Sequence, residues 1–380
     1  MFSTNLEQIN LSPVVKQAVF VSRLNRFTAL VNCCKNIPVH LPTTGRMQEL
    51  IYPGAEVFII PAENSERKTA FDLVGVVRNK KIRVIDSRIG NALFPQLFQS
   101  IPLFQGWNIE KKEYTFGGSR FDFLMENEKG KKGLVEIKTC TILENGIAAF
   151  PDAPSLRAVK HLDHLDEARK EDYTGFLVIL ISGKADCFIP NFHTDTGFTQ
   201  SFIRYYEKMN MAAVYYETDE DFFIRETGMV GIPIEHLKKK NFNTGSYLIV
   251  YHLENKTVLQ YGNQGKTVFE AGYYIYAGSA MNSLSARTSR HKNNVKNKHW
   301  HIDYIHPPMR HVKTYPFVSL SIECRLAEIL AKQFTVIKGF GASDCKCTGH
   351  LFYTEKNPDN NRVFINGIFD MRFKPEWLLS

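Results

Sequence analysis

Long apolar runs and a disulfide-type cysteine pattern are both missing from this 380-residue sequence. No stretch approaches the roughly 20 consecutive apolar residues that cross a bilayer. The first residues also lack the charged and apolar regions of a signal peptide. Seven cysteines are an odd number spread along the chain, which excludes the framework of a small secreted domain. We therefore expect a reduced, cytoplasmic protein with no membrane partner.

The net charge of +8 is distributed unevenly. Residues 1–90 carry 12 basic and 7 acidic side chains, residues 91–240 carry 18 and 22, and residues 241–380 carry 17 and 10. Basic regions around an acidic middle are typical of nucleic-acid processing, in which basic modules hold phosphates and an acidic pocket holds a divalent metal. A solvated surface whose charge fluctuates explains the same numbers, so both interpretations stay open.

Short strands dominate the first part of the chain. Alternating apolar residues between turn clusters predict strands at residues 18–21, 27–33, 55–60, 71–78 and 81–86. Five closely spaced strands indicate a small β-barrel of the OB type. Arg23, Arg26 and Arg46 are interleaved with aromatic residues there, as the phosphate-binding residues of a strand-binding groove would be.

Strand and helix alternate over residues 91–225, which indicates an α/β domain. The pattern predicts an apolar helical segment, two strands, a long helix and a buried strand, at residues 92–103, 119–126, 133–139, 155–170 and 175–181. Glycines, a proline and three consecutive lysines follow. We expect a barrel at residues 1–90, an α/β domain at 91–230, a linker at 231–243, and a third domain with the C-terminal tail at 244–380.

Two carboxylates and a lysine carry the chemistry of the middle domain. Asp122 and Glu136 are predicted on adjacent strands, and Lys138 shares a strand face with Glu136 because side chains alternate. Oxygen ligands suit Mg²⁺ or Mn²⁺, which activates water for phosphodiester hydrolysis. Charges between apolar neighbours are costly unless they are paired or bind metal. An exposed edge salt bridge between Glu136 and Lys138 is the alternative.

Several distinct motifs are spread through residues 17–225. They are Arg23-Leu24-Asn25-Arg26-Phe27, His40-Leu41-Pro42-Thr43-Thr44-Gly45-Arg46, Pro53-Gly54-Ala55, Gly118-Ser119-Arg120-Phe121-Asp122-Phe123, Val135-Glu136-Ile137-Lys138, Phe150-Pro151-Asp152-Ala153, Arg157 and Lys160-His161-Leu162. Together they resemble the SfsA (sugar fermentation stimulation protein) family. The resemblance implies an OB barrel joined to a PD-(D/E)XK restriction-endonuclease-like core that binds DNA or RNA.

Carried over from this resemblance, Asp122 and Glu136 are the metal carboxylates and Lys138 is the motif lysine. Glu113 matches a further acidic position. Arg157 and His161 are four residues apart in the predicted helix and therefore share a face that can point at a phosphate. Half-buried helix packing is the other interpretation of His161. Two more basic residues of these motifs complete the expected nucleic-acid contacts, Arg120 and Lys160.

A second group of motifs lies in residues 245–353. It comprises Gly245-Ser246-Tyr247, Tyr276-Ala277-Gly278-Ser279-Ala280, Arg287, His291, Trp300-His301-Ile302-Asp303-Tyr304, Glu323-Cys324 and Gly339-Phe340-Gly341-Ala342-Ser343-Asp344-Cys345-Lys346-Cys347. These resemble the α+β domain of the GIY-YIG (Uri-like) nuclease superfamily. The resemblance implies that Tyr247 helps to activate water, Arg287 binds phosphate and Glu323 holds a metal ion. Tyr276 and His291 are expected near the nucleic acid.

This domain departs from the superfamily pattern. Ser246 replaces an apolar residue, Ala277 stands in the second signature, and Tyr247 and Tyr276 are 29 positions apart. Catalysis and a retained fold without activity therefore both stay open. Zinc ligation by Cys324, Cys345, Cys347 and His350 is a further interpretation. The Cys-x-Cys spacing argues against zinc, because structural sites usually use Cys-x2–4-Cys pairs.

Taken together, the sequence predicts a multidomain α/β nucleic-acid-binding protein with Mg²⁺- or Mn²⁺-dependent phosphodiester hydrolysis centred on Asp122, Glu136 and Lys138. A non-catalytic DNA-binding regulator of sugar-metabolism genes, with vestigial nuclease folds, is the rival. A sugar enzyme is supported by the family's name alone. The choice among DNA, RNA and hybrid substrates stays open, as does the oligomeric state.

Overall fold

The computed structural model describes residues 9–11, 15–43, 45–64, 66–260, 265–292, 300–305 and 308–378. Thr44 of the His40 motif lies outside these residues. Contacts divide the chain into two units, Met1–Lys238 and Lys239–Leu378. Within the described residues, no helix combines the length and the apolarity needed to cross a bilayer.

The first unit begins with a barrel. Its strands are β1 (Lys16–Asn25), β2 (Thr28–Asn32), β3 (Asn36–His40), β4 (Glu56–Pro61) and β5 (Phe71–Arg78), with β6 (Lys81–Val84) paired to β5. The order β3-β2-β1-β4-β5 closes through a parallel pairing of His40 with Asp72. This closure confirms the predicted OB-type fold. The sequence did not predict β3, because Pro38 interrupts the strand pattern.

An α/β core follows the barrel. Its elements are α1 (Ile89–Leu97), β7 (Trp107–Phe116), β8 (Ser119–Asn127), β9 (Lys132–Cys140), β10 (Ile142–Glu144), β11 (Ile147–Phe150), α2 (Leu156–Lys170), β12 (Thr174–Ser182), β13 (Cys187–Pro190), α3 (Thr196–Tyr205), β14 (Asn210–Thr218), β15 (Ile224–Val230) and α4 (Ile234–Lys238). Six strands form a mixed sheet in the order β15-β14-β12-β9-β8-β7, and β10-β11-β13 form a small one. Helix α4 falls within the predicted linker and buries Leu237.

Helices cover both faces of the six-stranded sheet. On one face Phe123 and Val135 join Phe94 of α1 in a core, and on the other Leu134 joins Leu162 of α2. Strands buried on both faces read as nearly continuous apolar runs, which is why a charged residue inside them is informative. Helix α2 begins after Ser155, whose Oγ accepts a hydrogen bond from the Ala158 N–H at 3.1 Å. This cap fixes the start of α2 beside β8 and β9.

The second unit has its own sheet. Its elements are β16 (Gly245–Leu253), β17 (Thr257–Gln260), β18 (Lys266–Phe269), β19 (Gly272–Ala280), α5 (Leu284–Arg290), α6 (His301–Ile305), β20 (Met309–Val318), α7 (Glu323–Ala331), β21 (Thr335–Ile337), β22 (Leu351–Thr354), α8 (Arg362–Arg372) and α9 (Pro375–Leu378). The antiparallel order is β20-β16-β19-β22-β21, with a core formed by α7 and α8. Between β16 and β19 in the chain, strands β17 and β18 form a separate two-stranded sheet. This insertion accounts for the 29 positions between Tyr247 and Tyr276.

Candidate functional site

Asp122, Glu136 and Lys138 lie together in the first unit. Strands β8 and β9 are antiparallel neighbours with Phe123 opposite Val135, so the next positions, 122 and 136, face each other. Asp122 Oδ2 accepts a hydrogen bond from the Ile137 N–H at 2.7 Å. Lys138 Nζ pairs with Glu136 Oε1. The two strands thus place both carboxylates and the lysine in one small region.

Glu136 is a buried carboxylate inside the sheet. Its strand lies between β12 and β8, and the residue is only 3% exposed. The exposed edge pair that the sequence left as an alternative does not describe this arrangement. Among the described residues, Glu136 Oε2 has no hydrogen-bond partner. A buried acceptor without a donor is costly, so this oxygen is available as a ligand.

The two carboxyl groups have oppositely shifted pKa values. Burial and the nearby charge of Glu136 raise the pKa of Asp122. Burial also acts to raise the pKa of Glu136, but Lys138 and His161 outweigh it and hold that pKa below its ordinary value. One acid is therefore held charged while its neighbour resists ionisation. A cation between them would favour the charged form of both.

Helix α2 contributes His161 and Arg157 on one face. His161 Nδ1 lies 2.5 Å from Glu136 Oε1, and Arg157 Nε donates to His161 Nε2 at 3.3 Å. Since Nε2 accepts, a neutral ring carries its proton on Nδ1, the nitrogen that lies close to Glu136. His161 is buried, whereas Arg157 is exposed. His161 therefore orients Glu136, and Arg157 remains accessible to a phosphate.

Asp122, Glu136, Lys138 and Arg157 line a cleft of about 340 Å³. Two further lining residues were not predicted. Asn91 hydrogen-bonds Asp122, and nothing in the sequence around it signals that role. Asp152 accepts from the Met47 N–H at 3.3 Å, and it belongs to the Phe150 motif, so that motif was the available signal. A Cβ on Gly45 would lie 2.1 Å from Asp152 Oδ2, which explains the glycine.

The predicted basic residues differ in availability. Arg26, Arg46, Arg120 and Lys160 are exposed. Arg23 instead donates to the carbonyls of Arg26 and Arg46 at 2.7 and 2.9 Å, so its guanidinium holds the barrel loops together. The Arg26 guanidinium lies 5.5 Å from the Phe27 ring, which is itself exposed. An arginine beside an exposed ring suits a stacked base.

Glu113 lies apart from the cleft lining. It is on the edge strand β7, its side chain is exposed, and its carboxylate is 3.5 Å from Arg120. The backbone φ at Glu113 is +55°, a left-handed conformation that is uncommon for a residue other than glycine. The structure therefore pairs Glu113 with Arg120 and does not bring it beside Glu136.

In the second unit, Tyr247 is the centre of a polar network. Its hydroxyl lies 2.9 Å from His291 Nε2 and accepts from Arg287 Nε at 3.3 Å. Tyr247 and Tyr276 stand on the paired strands β16 and β19, and both are buried. A Cβ on Gly278 would lie 2.5 Å from the Tyr247 hydroxyl, so this glycine makes room for the ring. His291 is also buried, and a nucleic acid would reach it only through its neighbours.

Burial controls the tyrosine pKa values. It raises the pKa of Tyr247 to about 12, although Arg287 acts in the opposite direction. Burial and the neighbouring Tyr247 raise the pKa of Tyr276 well above its ordinary value. Neither phenol ionises near neutral pH in this environment, so Tyr247 takes part in the network as a neutral hydrogen-bonding group.

Arg287 lies near Glu323 and also lines an open pocket. The Arg287 guanidinium is 3.3 Å from the centre of the Trp300 ring, and Arg287 and Trp300 line a pocket of about 360 Å³. Burial would raise the pKa of Glu323, but His350, Ser279 and Arg287 hold it below its ordinary value. Ser246 Oγ accepts from the Ile322 N–H at 2.9 Å. The serine that departs from the signature therefore anchors the start of α7, which carries Glu323.

Known proteins match both units. Residues 21–85, 88–221 and 246–372 match family models described as "SfsA N-terminal OB domain", "Sugar fermentation stimulation protein RE domain" and "Domain of unknown function DUF123". Sugar fermentation stimulation protein homologues of Clostridium tetani and Clostridium acetobutylicum are 35% and 36% identical, over 55% and 56% of this chain and 93% and 94% of theirs. The structure of Pyrococcus furiosus SfsA in complex with Ca²⁺ is 26% identical, with a TM-score of 0.55 over 59% of this chain and 99% of that one.

Proposed function

This chain belongs to the sugar fermentation stimulation protein (SfsA) family and carries a GIY-YIG-like C-terminal domain, and from that premise we propose that it is a nucleic-acid-binding, divalent-metal-dependent nuclease. Phosphodiester hydrolysis would take place in the first-unit cleft. The observation that supports this most directly is the pair of facing carboxylates, Asp122 and Glu136, with a buried Glu136 oxygen that has no partner among the described residues.

The donor set of the cleft fits a hard cation. Asp122 and Glu136 offer carboxylate oxygens, the ligands that Mg²⁺ and Mn²⁺ prefer. Asp152 lines the same cleft and is a further candidate ligand. The Pyrococcus furiosus SfsA structure is a complex with Ca²⁺, which is another hard cation. Bound between these oxygens, the cation would activate water and stabilise charge on the leaving oxygen.

The chain's own residues would position the substrate. Lys138 and His161 hold Glu136 Oε1 from two sides, which fixes the carboxylate for metal binding. The exposed Arg157 is placed to bind the phosphate that is cleaved. Arg26 and Arg46 on the barrel would contact other phosphates, and Phe27 would stack with a base.

For the second unit we propose nucleic-acid contact through Arg287 and Trp300. The guanidinium stacked on the indole presents charge at the rim of an open pocket, an arrangement suited to phosphate and to bases. The resemblance-based catalytic roles of Tyr247, Arg287 and Glu323 form the alternative. Since the first unit has two facing carboxylates, whereas Glu323 in the second is already paired with His350, we place cleavage in the first.

The test is cleavage of end-labelled single-stranded, duplex and hybrid substrates with Mg²⁺ or Mn²⁺. We would compare the wild type with Asp122→Asn, Glu323→Gln and a control at the exposed Glu128, Glu128→Gln. Loss of a metal ligand removes several kcal/mol of transition-state stabilisation, so Asp122→Asn should cleave roughly 10²–10³-fold more slowly. Glu323→Gln and Glu128→Gln should cleave at nearly the wild-type rate.

Binding measured on the same variants separates the rival function. A non-catalytic regulator would bind nucleic acid with a strong salt dependence, would not cleave it with either ion, and would bind equally well after Asp122→Asn. That combination would overturn the nuclease proposal. Cleavage lost in Glu323→Gln and retained in Asp122→Asn would instead move the active site to the second unit.

A further inference from the structure

Three thiols and one imidazole gather in the second unit, next to Glu323. Cys324 is the second residue of α7, Cys345 and Cys347 lie between β21 and β22, and His350 directly precedes β22. Their Sγ atoms and a ring nitrogen all lie within 4.8 Å of one another. The fold therefore brings four candidate metal ligands together, which the Cys-x-Cys spacing alone did not predict.

The distances are close to those around a tetrahedral zinc ion. Zinc lies about 2.3 Å from thiolate sulfur and about 2.0–2.1 Å from imidazole nitrogen, which separates neighbouring ligand atoms by roughly 3.5–3.8 Å. Cys345 Sγ is 3.4 Å from His350 Nε2. Small side-chain rotations would bring the other pairs, already within 4.8 Å, to the same separation.

His350 is oriented as a metal ligand. Its Nδ1 lies 2.7 Å from Glu323 Oε1, and an ionised carboxylate can only accept a hydrogen bond. The proton of a neutral ring is therefore on Nδ1, and the lone pair of Nε2 faces the thiols. A histidine that donates to a carboxylate while its other nitrogen binds the ion is the usual arrangement in zinc proteins.

We propose that Cys324, Cys345, Cys347 and His350 bind one Zn²⁺ ion. Thiolates and imidazole are soft or borderline ligands that favour zinc over Mg²⁺. Four protein ligands complete a tetrahedral shell and leave no position for water, so the ion is structural. This site is independent of the carboxylate cleft in its ligands, its metal and its role.

The zinc ion would stabilise one wall of the tyrosine network. It joins the start of α7 to the segment between β21 and β22, in which the Gly341 N–H donates to His301 Nδ1 at 2.9 Å. Phe340 in that segment packs 6.2 Å from the Tyr276 ring. Through His350 the ion also fixes Glu323, which is therefore a positioning residue for zinc as well as a neighbour of Arg287.

The test begins with the metal content of the full chain, purified without chelator and measured by inductively coupled plasma mass spectrometry. We expect about one zinc per chain in the wild type. Cys345→Ser should lose at least about 10-fold in zinc content or affinity, and Cys34→Ser, at an exposed cysteine of the first unit, should lose none. Glu323→Gln should still bind one ion when zinc is in excess, with affinity weakened about 10–100-fold.

Cobalt substitution of the wild type keeps the proposal testable even if Cys345→Ser does not fold. Cobalt in this site should show the intense d–d bands of a tetrahedral ion and charge-transfer absorption from three thiolates. Absence of zinc together with absence of these bands would overturn the proposal. So would alkylation and intact-mass measurements that find two of the three cysteines joined in a disulfide. Nuclease activity enters neither readout, so the outcome is separate from that of the proposed function.

Discussion

The two units line their polar sites in opposite ways. In the first unit, the carboxyl groups of Asp122, Glu136 and Asp152 line the cleft. Glu136 keeps one buried oxygen without a partner among the described residues. In the second, Tyr247, Arg287 and His291 bond one another, and Glu323 is held by His350. An unsatisfied acceptor is a place for a cation, whereas a network of donors and rings is a place for an anion. This difference favours metal chemistry in the first unit and phosphate contact in the second.

The largest effect is expected on binding of a hard cation. Glu136→Gln removes the charge of the buried ligand, and affinity for such ions depends steeply on ligand charge, so the affinity for Mn²⁺ should fall on the order of 10²–10³-fold. Glu323→Gln is the matched change in the second unit and should leave it unaltered. Electron paramagnetic resonance of free Mn²⁺ measures both affinities on zinc-loaded protein. Equal loss in the two variants would erase the proposed difference between the units.

Parts of this difference are accessible from the sequence. Asp122, Glu136 and Lys138 stand out because they interrupt apolar strands, and alternation alone places Glu136 and Lys138 on one face. The OB-type barrel and the helix over residues 155–170 follow from local periodicity. What local patterns cannot give is convergence between distant segments, and Asp152 against Gly45 is one example.

The cysteine cluster shows the same limit more sharply. The spacing between Cys345 and Cys347 argues against zinc, but Cys324 at the start of α7 and His350 just before β22 complete the group. The failure to predict β3 from the sequence has a different cause. Pro38 interrupts the strand pattern, and the strand becomes favourable only when the barrel closes. In both cases tertiary contacts decide what short-range patterns leave undetermined.

The pH dependence of stability should distinguish buried acids from buried phenols. Burial raises the pKa of Glu49 in the first unit to about 8. A raised pKa in the folded state means that stability is full below about pH 4.5, the ordinary value, and is lost as the pH rises through about 8. The loss should be on the order of a few kcal/mol. Burial raises the pKa values of Tyr247 and Tyr276 in the second unit above the ordinary tyrosine value, so these phenols contribute no such slope in this pH range.

Urea unfolding of the full chain at about pH 5.5 and 8.5 measures this slope. Glu49→Gln removes the titrating group and should reduce the difference between the two pH values. Glu56→Gln, at an exposed position of β4, should leave the wild-type difference intact. A slope that persists in Glu49→Gln would mean that other groups of the molecule cause it.

Crowding around Tyr247 predicts a smaller stability effect in the second unit. Gly278→Ala places a methyl group 2.5 Å from the Tyr247 hydroxyl. Because the neighbouring atoms must shift to make room for it, the free energy of unfolding should fall by about 1–3 kcal/mol. Gly367→Ala is the matched control, because that position in α8 has no atom within 4 Å of an added Cβ. Gly367→Ala should stabilise α8 by about 0.5–1 kcal/mol, because alanine loses less backbone entropy than glycine in a helix. Thermal unfolding of both variants checks the opposite signs, and a shared sign contradicts the close packing at Tyr247.

The smallest effect concerns how the two units hold nucleic acid. Arg287→Lys keeps the positive charge but loses the planar stack on Trp300, which contributes about 0.5–2 kcal/mol. Affinity should therefore fall about 2–30-fold, while the dependence on salt stays the same because the number of neutralised phosphates is unchanged. Arg157→Lys, at a residue that donates to His161, should lose less, since a lysine still pairs with phosphate. Fluorescence anisotropy across a salt series measures both quantities, and equal losses at the two positions would show that stacking on Trp300 does not distinguish the units.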